Sequence, residues 1–171
     1  WASITNAVTL PGGLVDLKEI NPRIIIDLKY ATSDNFLKQK VYDDSHCYLL
    51  RVVAQKLDQA QGILERDGLG LKVWDGYRPL AVQKKMWAIM PDSRFVANPY
   101  KAGSMHNRAV AVDLTLVDSS GKEIEMPTTF DSFAERAFQF SLGPSPQQRA
   151  NRMLLRKVMS EVGLDYIQTE W

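Results

Sequence analysis

Apolar positions recur at helical spacing across residues 45–66, where Leu49, Leu50, Val53, Leu57 and Ile63 form one stripe. Asp67-Gly68 follows as a stop, so the pattern predicts a helix with Cys47 in its interior. A second helix is predicted over residues 80–89, with Pro79 acceptable beside its first turn. A third spans about 146–162, opened by Ser145-Pro146 and closed by Gly163. A short helix is expected near residues 132–140. Strand-like runs, rich in β-branched and apolar residues, are read at 23–30, 71–74, 110–116 and 165–171, with a hairpin over 117–126 that turns at 118–122. Residues 1–23, with Pro11-Gly12-Gly13 and Asn21-Pro22, are expected to be irregular.

Three or more helices and four or five short strands, not in strict βαβ alternation, predict an α+β fold with a small antiparallel sheet. A chain of 171 residues suits one domain over residues 1–171. No internal repeat or low-complexity segment breaks it.

The formal charge of +1 gives no electrostatic reason to expect a nucleic-acid or anionic-membrane partner. No apolar run reaches transmembrane length. With Cys47 as the single cysteine, an intrachain disulfide and a thiolate-rich zinc site are both excluded, and a packed core thiol is the favoured reading. The chain begins at Trp1 instead of methionine, which reads as a processed or incomplete product. An envelope location is slightly favoured over the cytoplasm, and composition fixes no oligomeric state.

Chemistry concentrates in Ser104-Met-His-Asn-Arg-Ala-Val-Ala-Val-Asp113. In the predicted strand Asp113 shares a face with Thr115 and Ala111. A carboxylate in such an apolar run needs a cation, strong hydrogen bonds or an open cleft. Taken by their spacing alone, His106 and Asp113 are better read as an ordinary hydrogen-bonded pair in a core. Arg78, at the corner between a strand and a helix, is either ion-paired or a planar clamp for a carboxylate or oxyanion. Tyr30, Asp34 and Asn35 are ligand-facing groups or turn chemistry. His46 reads as a helix-start or surface histidine and is not taken as a ligand.

Together, Asp27-Leu-Lys-Tyr-Ala-Thr-Ser-Asp-Asn-Phe36, Trp74-Asp-Gly-Tyr-Arg-Pro79, Ser104-x-His106 with Asp113 seven residues on, Phe130-Asp131 and Thr169-Glu-Trp171 resemble the D-alanyl-D-alanine dipeptidases. The likeness runs from Val15 to Trp171. It implies helices packed around a zinc cleft, one zinc ion per chain, and His106 and Asp113 as two of its three ligands. The third in the family is a histidine that would fall just beyond Trp171, so the resemblance also implies a chain cut short of it. It further implies Glu170 as general base, Arg78 as oxyanion stabiliser, and Ser104 with Asp131 at the substrate's amino end. Tyr30 and Asn35 match pocket-side positions. The implied activity is zinc-dependent hydrolysis of D-alanyl-D-alanine, a small D,D-dipeptide, with no nucleic-acid partner and no membrane insertion.

One position departs from the family pattern. Ala109 stands where the family shows glycine, and a left-handed backbone there would strain its methyl group. Two other readings remain. One is a zinc D,D- or L,D-carboxypeptidase acting on peptidoglycan stem peptides, which would accept longer or capped substrates. The other is a non-catalytic cell-wall-binding module on the same scaffold.

Overall fold

Five short strands and four α-helices make up the regular structure of the computed structural model, which describes residues 11–171. Of the expected irregular start, residues 1–10 lie outside the described residues, and the rest is not irregular throughout: Leu14–Asp16 forms a strand and Leu17–Ile20 a helical turn capped by Asp16. In chain order the elements are β1 (Leu14–Asp16), α1 (Leu17–Ile20), β2 (Ile25–Ile26), β3 (Tyr48–Leu50), α2 (Arg51–Leu64), β4 (Leu69–Asp75), α3 (Leu80–Ile89), β5 (Asp113–Asp118) and α4 (Pro146–Glu161). β1 and β3 pair antiparallel, and β2, β4 and β5 form a three-stranded sheet in the order β2-β4-β5. The fold is α+β, as the element pattern predicts.

Contacts gather the chain into two compact units. One takes the described residues up to Ala54 together with Val73–Leu114, and the other takes Gln55–Lys72 with Thr115–Trp171. Buried in the first are Val15, Leu17, Ile24, Leu49, Val73 and Met86; buried in the second are Leu57, Leu64, Leu71, Leu116, Leu155 and Val158. On α2, Val53, Ala54, Leu57, Ala60, Gln61 and Leu64 are buried at helical spacing. Gln61 sits in that apolar stripe because its Oε1 accepts from the Leu71 N–H at 2.8 Å and its Nε2 donates to Glu65 at 2.9 Å.

Helix α3 has the bounds the sequence predicts. α4 begins at Pro146 behind a reciprocal Ser145–Gln148 capping box, and Gly163 follows it with φ +74°. The hairpin turn also forms. Asp118 Oδ1 accepts from the Ser120 and Lys122 amides, and the Asp118 N–H donates to the Lys122 carbonyl at 2.8 Å.

Four further expectations need correction. The helix foreseen over 45–66 starts only at Arg51, because β1 offers Tyr48–Leu50 a ladder, with Leu14 opposite Leu50 and Val15 opposite Leu49. Cys47 therefore lies beside a strand, where its carbonyl accepts from the Leu17 N–H at 2.9 Å. The strand foreseen at 23–30 shrinks to Ile25–Ile26 and gives way to a 3₁₀ turn at Lys29–Ala31. The helix at 132–140 is a single 3₁₀ turn, Glu135–Ala137; the Phe138 and Ser141 carbonyls take hydrogen bonds from Arg152 in place of helical amides. Residues 165–171 form no strand. They are tied down through the Gln168 and Glu170 carbonyls, which accept from Gln139, and through Trp171 Nε1, which donates to Thr128.

Cys47 is buried, and burial pushes its thiol pKa up, with Asp75 and Asp16 adding to the shift. The folded protein is expected to leave a disulfide thiol reagent unreacted until denaturant is added. Rapid stoichiometric reaction of the native chain would contradict this packing.

Candidate metal centre

Strand β4 ends at Asp75, a wholly buried carboxylate. Its Oδ1 accepts from the Tyr42 hydroxyl at 2.5 Å and from the Gly76 N–H at 2.9 Å. Its Oδ2 accepts from Arg78 Nε at 3.0 Å and Nη2 at 2.6 Å. Arg78 Nη1 donates to Gln83 Oε1 at 3.0 Å, and its guanidinium lies 5.0 Å from the Tyr30 ring centre. Burial opposes the charge on Arg78, but the neighbouring anions, Asp75 foremost, hold it firmly protonated.

Gly76 allows the corner to close. A Cβ there would lie 2.7 Å from Cys47 Sγ and 3.0 Å from the Tyr48 carbonyl, inside van der Waals contact. Its own carbonyl accepts from His106 Nδ1 at 2.9 Å. A carbonyl can only accept, so Nδ1 carries a proton and Nε2 is the nitrogen left to bind a cation. Metal-ligating histidines are oriented in this way by the hydrogen bond of their other nitrogen.

His106 rides on a 3₁₀ turn, Met105–Arg108, capped by Ser104, whose Oγ accepts from the His106 N–H at 3.2 Å. Asn107 completes the capping box and donates to the Arg78 carbonyl at 2.8 Å, while the Arg78 N–H donates to the His106 carbonyl at 3.1 Å. The turn and the arginine corner are thus docked backbone to backbone. Asp113 is the first residue of β5, not an interior one, so its carboxylate leaves the apolar run of Leu114 to Val117. Its Oδ1 stands 3.4 Å from His106 Nε2, and its Oδ2 stands 3.9 Å from Arg78 Nη2.

Burial favours the neutral His106 ring, yet Asp113 and Asp75 outweigh it and raise its pKa. Burial also opposes ionisation of Asp113, but His106 and Arg78 hold its carboxyl below the usual range. The site keeps an ionised carboxylate facing an imidazole nitrogen. That is the donor chemistry of a His/carboxylate metal site.

Asp75, His106 and Asp113 each bring a potential ligand atom to within 4.8 Å of the other two, the one such group among the described residues. Asp75 is nevertheless poorly suited to ligate. Its four lone-pair directions already accept from Tyr42, Gly76 and, twice, Arg78. Coordination would break bonds to a buried cation. The available donors are His106 Nε2 and Asp113, two of the three expected from a catalytic zinc site.

The other foreseen residues divide by unit. Tyr30 is buried beneath Arg78, edge-on to Tyr42 at 5.9 Å. Asn35 is buried, donating to the carbonyls of Lys29, Thr32 and Gln39 and accepting from Leu37, so it organises its own loop. His46 lies in a loop rather than on a helix; it is exposed and hydrogen-bonded to Asp44. Asp131, with φ +55°, and the exposed Glu170 belong to the second unit. Sequence reasoning passed over Asp75, Tyr42 and Gln83 as site residues. Only Asp75 had a local signal, three residues before Arg78 in a tight corner.

Ala109 ends the His106 turn with φ +56° and ψ +28°, a left-handed conformation, and its side chain is buried. That conformation costs a non-glycine residue about 1–2 kcal/mol, somewhat more than the roughly 0.8 kcal/mol its buried methyl contributes. Ala109→Gly is therefore expected to gain about 0.5 kcal/mol in urea denaturation. A loss of stability would show that the methyl's packing outweighs the strain.

Comparison with known proteins identifies the family of the chain. A family described as D-Ala-D-Ala dipeptidase matches residues 11–171. The chain is 35% identical over 158 residues to the D-alanyl-D-alanine dipeptidase of Escherichia coli strain K12, covering 92% of this chain and 81% of that protein. It is 32% identical over 179 residues to the D-alanyl-D-alanine dipeptidase of Enterococcus faecium, covering 93% and 89%.

Proposed function

Because this chain belongs to the D-Ala-D-Ala dipeptidase family of metallopeptidases, we propose that it hydrolyses D-alanyl-D-alanine to two D-alanines with zinc held by His106 Nε2 and Asp113. The observation that carries this reading is the pairing of those two donors beside a buried arginine, with His106 Nδ1 already anchored to a carbonyl. When bound, zinc supplies Lewis acidity, activating water near neutral pH and polarising the scissile carbonyl.

The chain's own residues do the rest. Arg78, fixed along one edge by Asp75, keeps N–H groups to hydrogen-bond the oxyanion as the carbonyl becomes tetrahedral. The general base that takes the proton of the attacking water and returns it to the leaving amine is the role the family resemblance gives to Glu170. Recognition of the free ammonium of the dipeptide is the role the family resemblance gives to Ser104 and to Asp131; Ser104 Oγ accepts from the His106 N–H and keeps a further lone pair. Tyr30 and Asn35 support the pocket from beneath, Tyr30 through the arginine and Asn35 through its loop.

The test is metal content together with D-alanine release from D-alanyl-D-alanine, set beside N-acetylated D-alanyl-D-alanine and a peptidoglycan stem peptide. A dipeptidase binds about one zinc per chain and cleaves only the substrate with a free amino end. Preferential cleavage of the capped or longer peptide would assign the site to a carboxypeptidase instead.

A further inference from the structure

Gln83 is wholly buried on α3, between Val82 and residues that continue the helix toward Met86. A buried amide is costly unless hydrogen-bonded, and an apolar side chain of its length would fill the same space. Its two ends are both engaged. Nε2 donates to the Ala97 carbonyl at 2.7 Å, which fixes the amide's orientation and turns Oε1 toward Arg78 Nη1, 3.0 Å away.

Asp75 grips the guanidinium along its Nε–Nη2 edge, while Gln83 holds the other terminal nitrogen and the Tyr30 ring lies 5.0 Å from the guanidinium carbon. Three of the five N–H donors are thereby committed, and one remains on each terminal nitrogen. Asp75 alone fixes one edge of the group. With Gln83 on Nη1 the direction of the remaining hydrogens is set as well.

We propose that Gln83 is a positioning residue for Arg78, aiming its two uncommitted N–H groups at the oxyanion of dipeptide hydrolysis. This rests on the oxyanion role given to Arg78 above. Gln83 touches neither substrate nor metal ligand in this reading; it acts through the arginine.

A double-mutant cycle on the zinc-loaded protein tests it. Gln83→Met keeps the volume and removes the acceptor, and is expected to lower kcat for D-alanyl-D-alanine about tenfold to a hundredfold, the range typical of groups that orient an active-site residue. KM should stay within about twofold, because the contact is made to the transition state. In the Arg78→Ala background the same substitution should cost nothing further. A loss that adds in full on top of Arg78→Ala would overturn the proposal, since a residue acting only on the fold has no reason to depend on the arginine.

A second measurement does not depend on turnover. Nitrogen-15 NMR should show the Arg78 terminal nitrogens in slow rotational exchange in the parent protein, merging in Gln83→Met and staying distinct in Gln83→Glu, which keeps the acceptor. If Gln83→Met does not fold, Gln83→Asn withdraws the acceptor by one methylene and serves in its place. Should the parent leave the dipeptide intact, the dipeptidase reading fails, and the NMR comparison still decides. Merged resonances uphold the orienting role, and unchanged ones overturn it.

Discussion

Asp75→Ala is expected to destabilise the metal-free protein by about 3–5 kcal/mol, the range for breaking a buried ion pair from one side. The substitution leaves the Arg78 guanidinium charged in a site that is 10% exposed and strips the acceptor from the Tyr42 hydroxyl and the Gly76 N–H. Gly76 carries the carbonyl that orients His106, so loosening of the corner should also weaken metal binding. Asp75→Asn keeps one accepting oxygen but not the charge, and should lie between Asp75→Ala and the parent. Urea denaturation with unchanged m-values measures the effect. A cost below about 1 kcal/mol for Asp75→Ala would place the pair in the class of solvent-screened surface bridges and refute its burial.

His106→Ala and Asp113→Asn should each abolish zinc retention after dialysis and lower D-alanyl-D-alanine hydrolysis by more than about a thousandfold, since the lost Lewis acid is worth several kcal/mol of transition-state stabilisation. His46→Ala is the control. His46 is exposed, and its partner is Asp44, not the arginine corner. Both zinc content and rate should match the parent. Equal loss in all three variants would point to general damage, and full activity in His106→Ala would remove the metal assignment altogether.

These residues differ in how visible they are in the sequence. Helices α3 and α4 announce themselves because their signals are local: Pro79 and Ser145-Pro146 at the starts, an apolar stripe, and Gly163 at the end of the second. Tyr48–Leu50 carries a helical apolar pattern but pairs with Leu14–Asp16, a strand more than thirty residues earlier. No window-sized reading contains that partner. The same limit hides Tyr42, whose importance lies in reaching Asp75 from 33 residues away. Gln83 is only five residues from Arg78, but a glutamine on a helix reads as surface until its burial is seen. Asp113 was legible because a carboxylate in an apolar run demands an explanation, Arg78 because it sits at a strand-to-helix corner, and His106 through the family motif that pairs it with Asp113. Ala109 was legible only as a departure from a pattern, and its positive φ gives that departure a physical meaning.

The centre is closed by bonds between distant parts of the chain: Tyr42 reaches Asp75 across 33 residues, and His106 reaches Gly76 across 30. Each needs a long loop to close before it gains anything, which places such contacts among the slower steps of folding. The corner of β4, the turn of His106 and the loop of Tyr42 must all have arrived before Nε2 and the Asp113 carboxylate face one another. Capture of the proposed metal would then serve as a clock. In a refolding experiment, the moment of its uptake would mark the completion of this unit rather than its collapse.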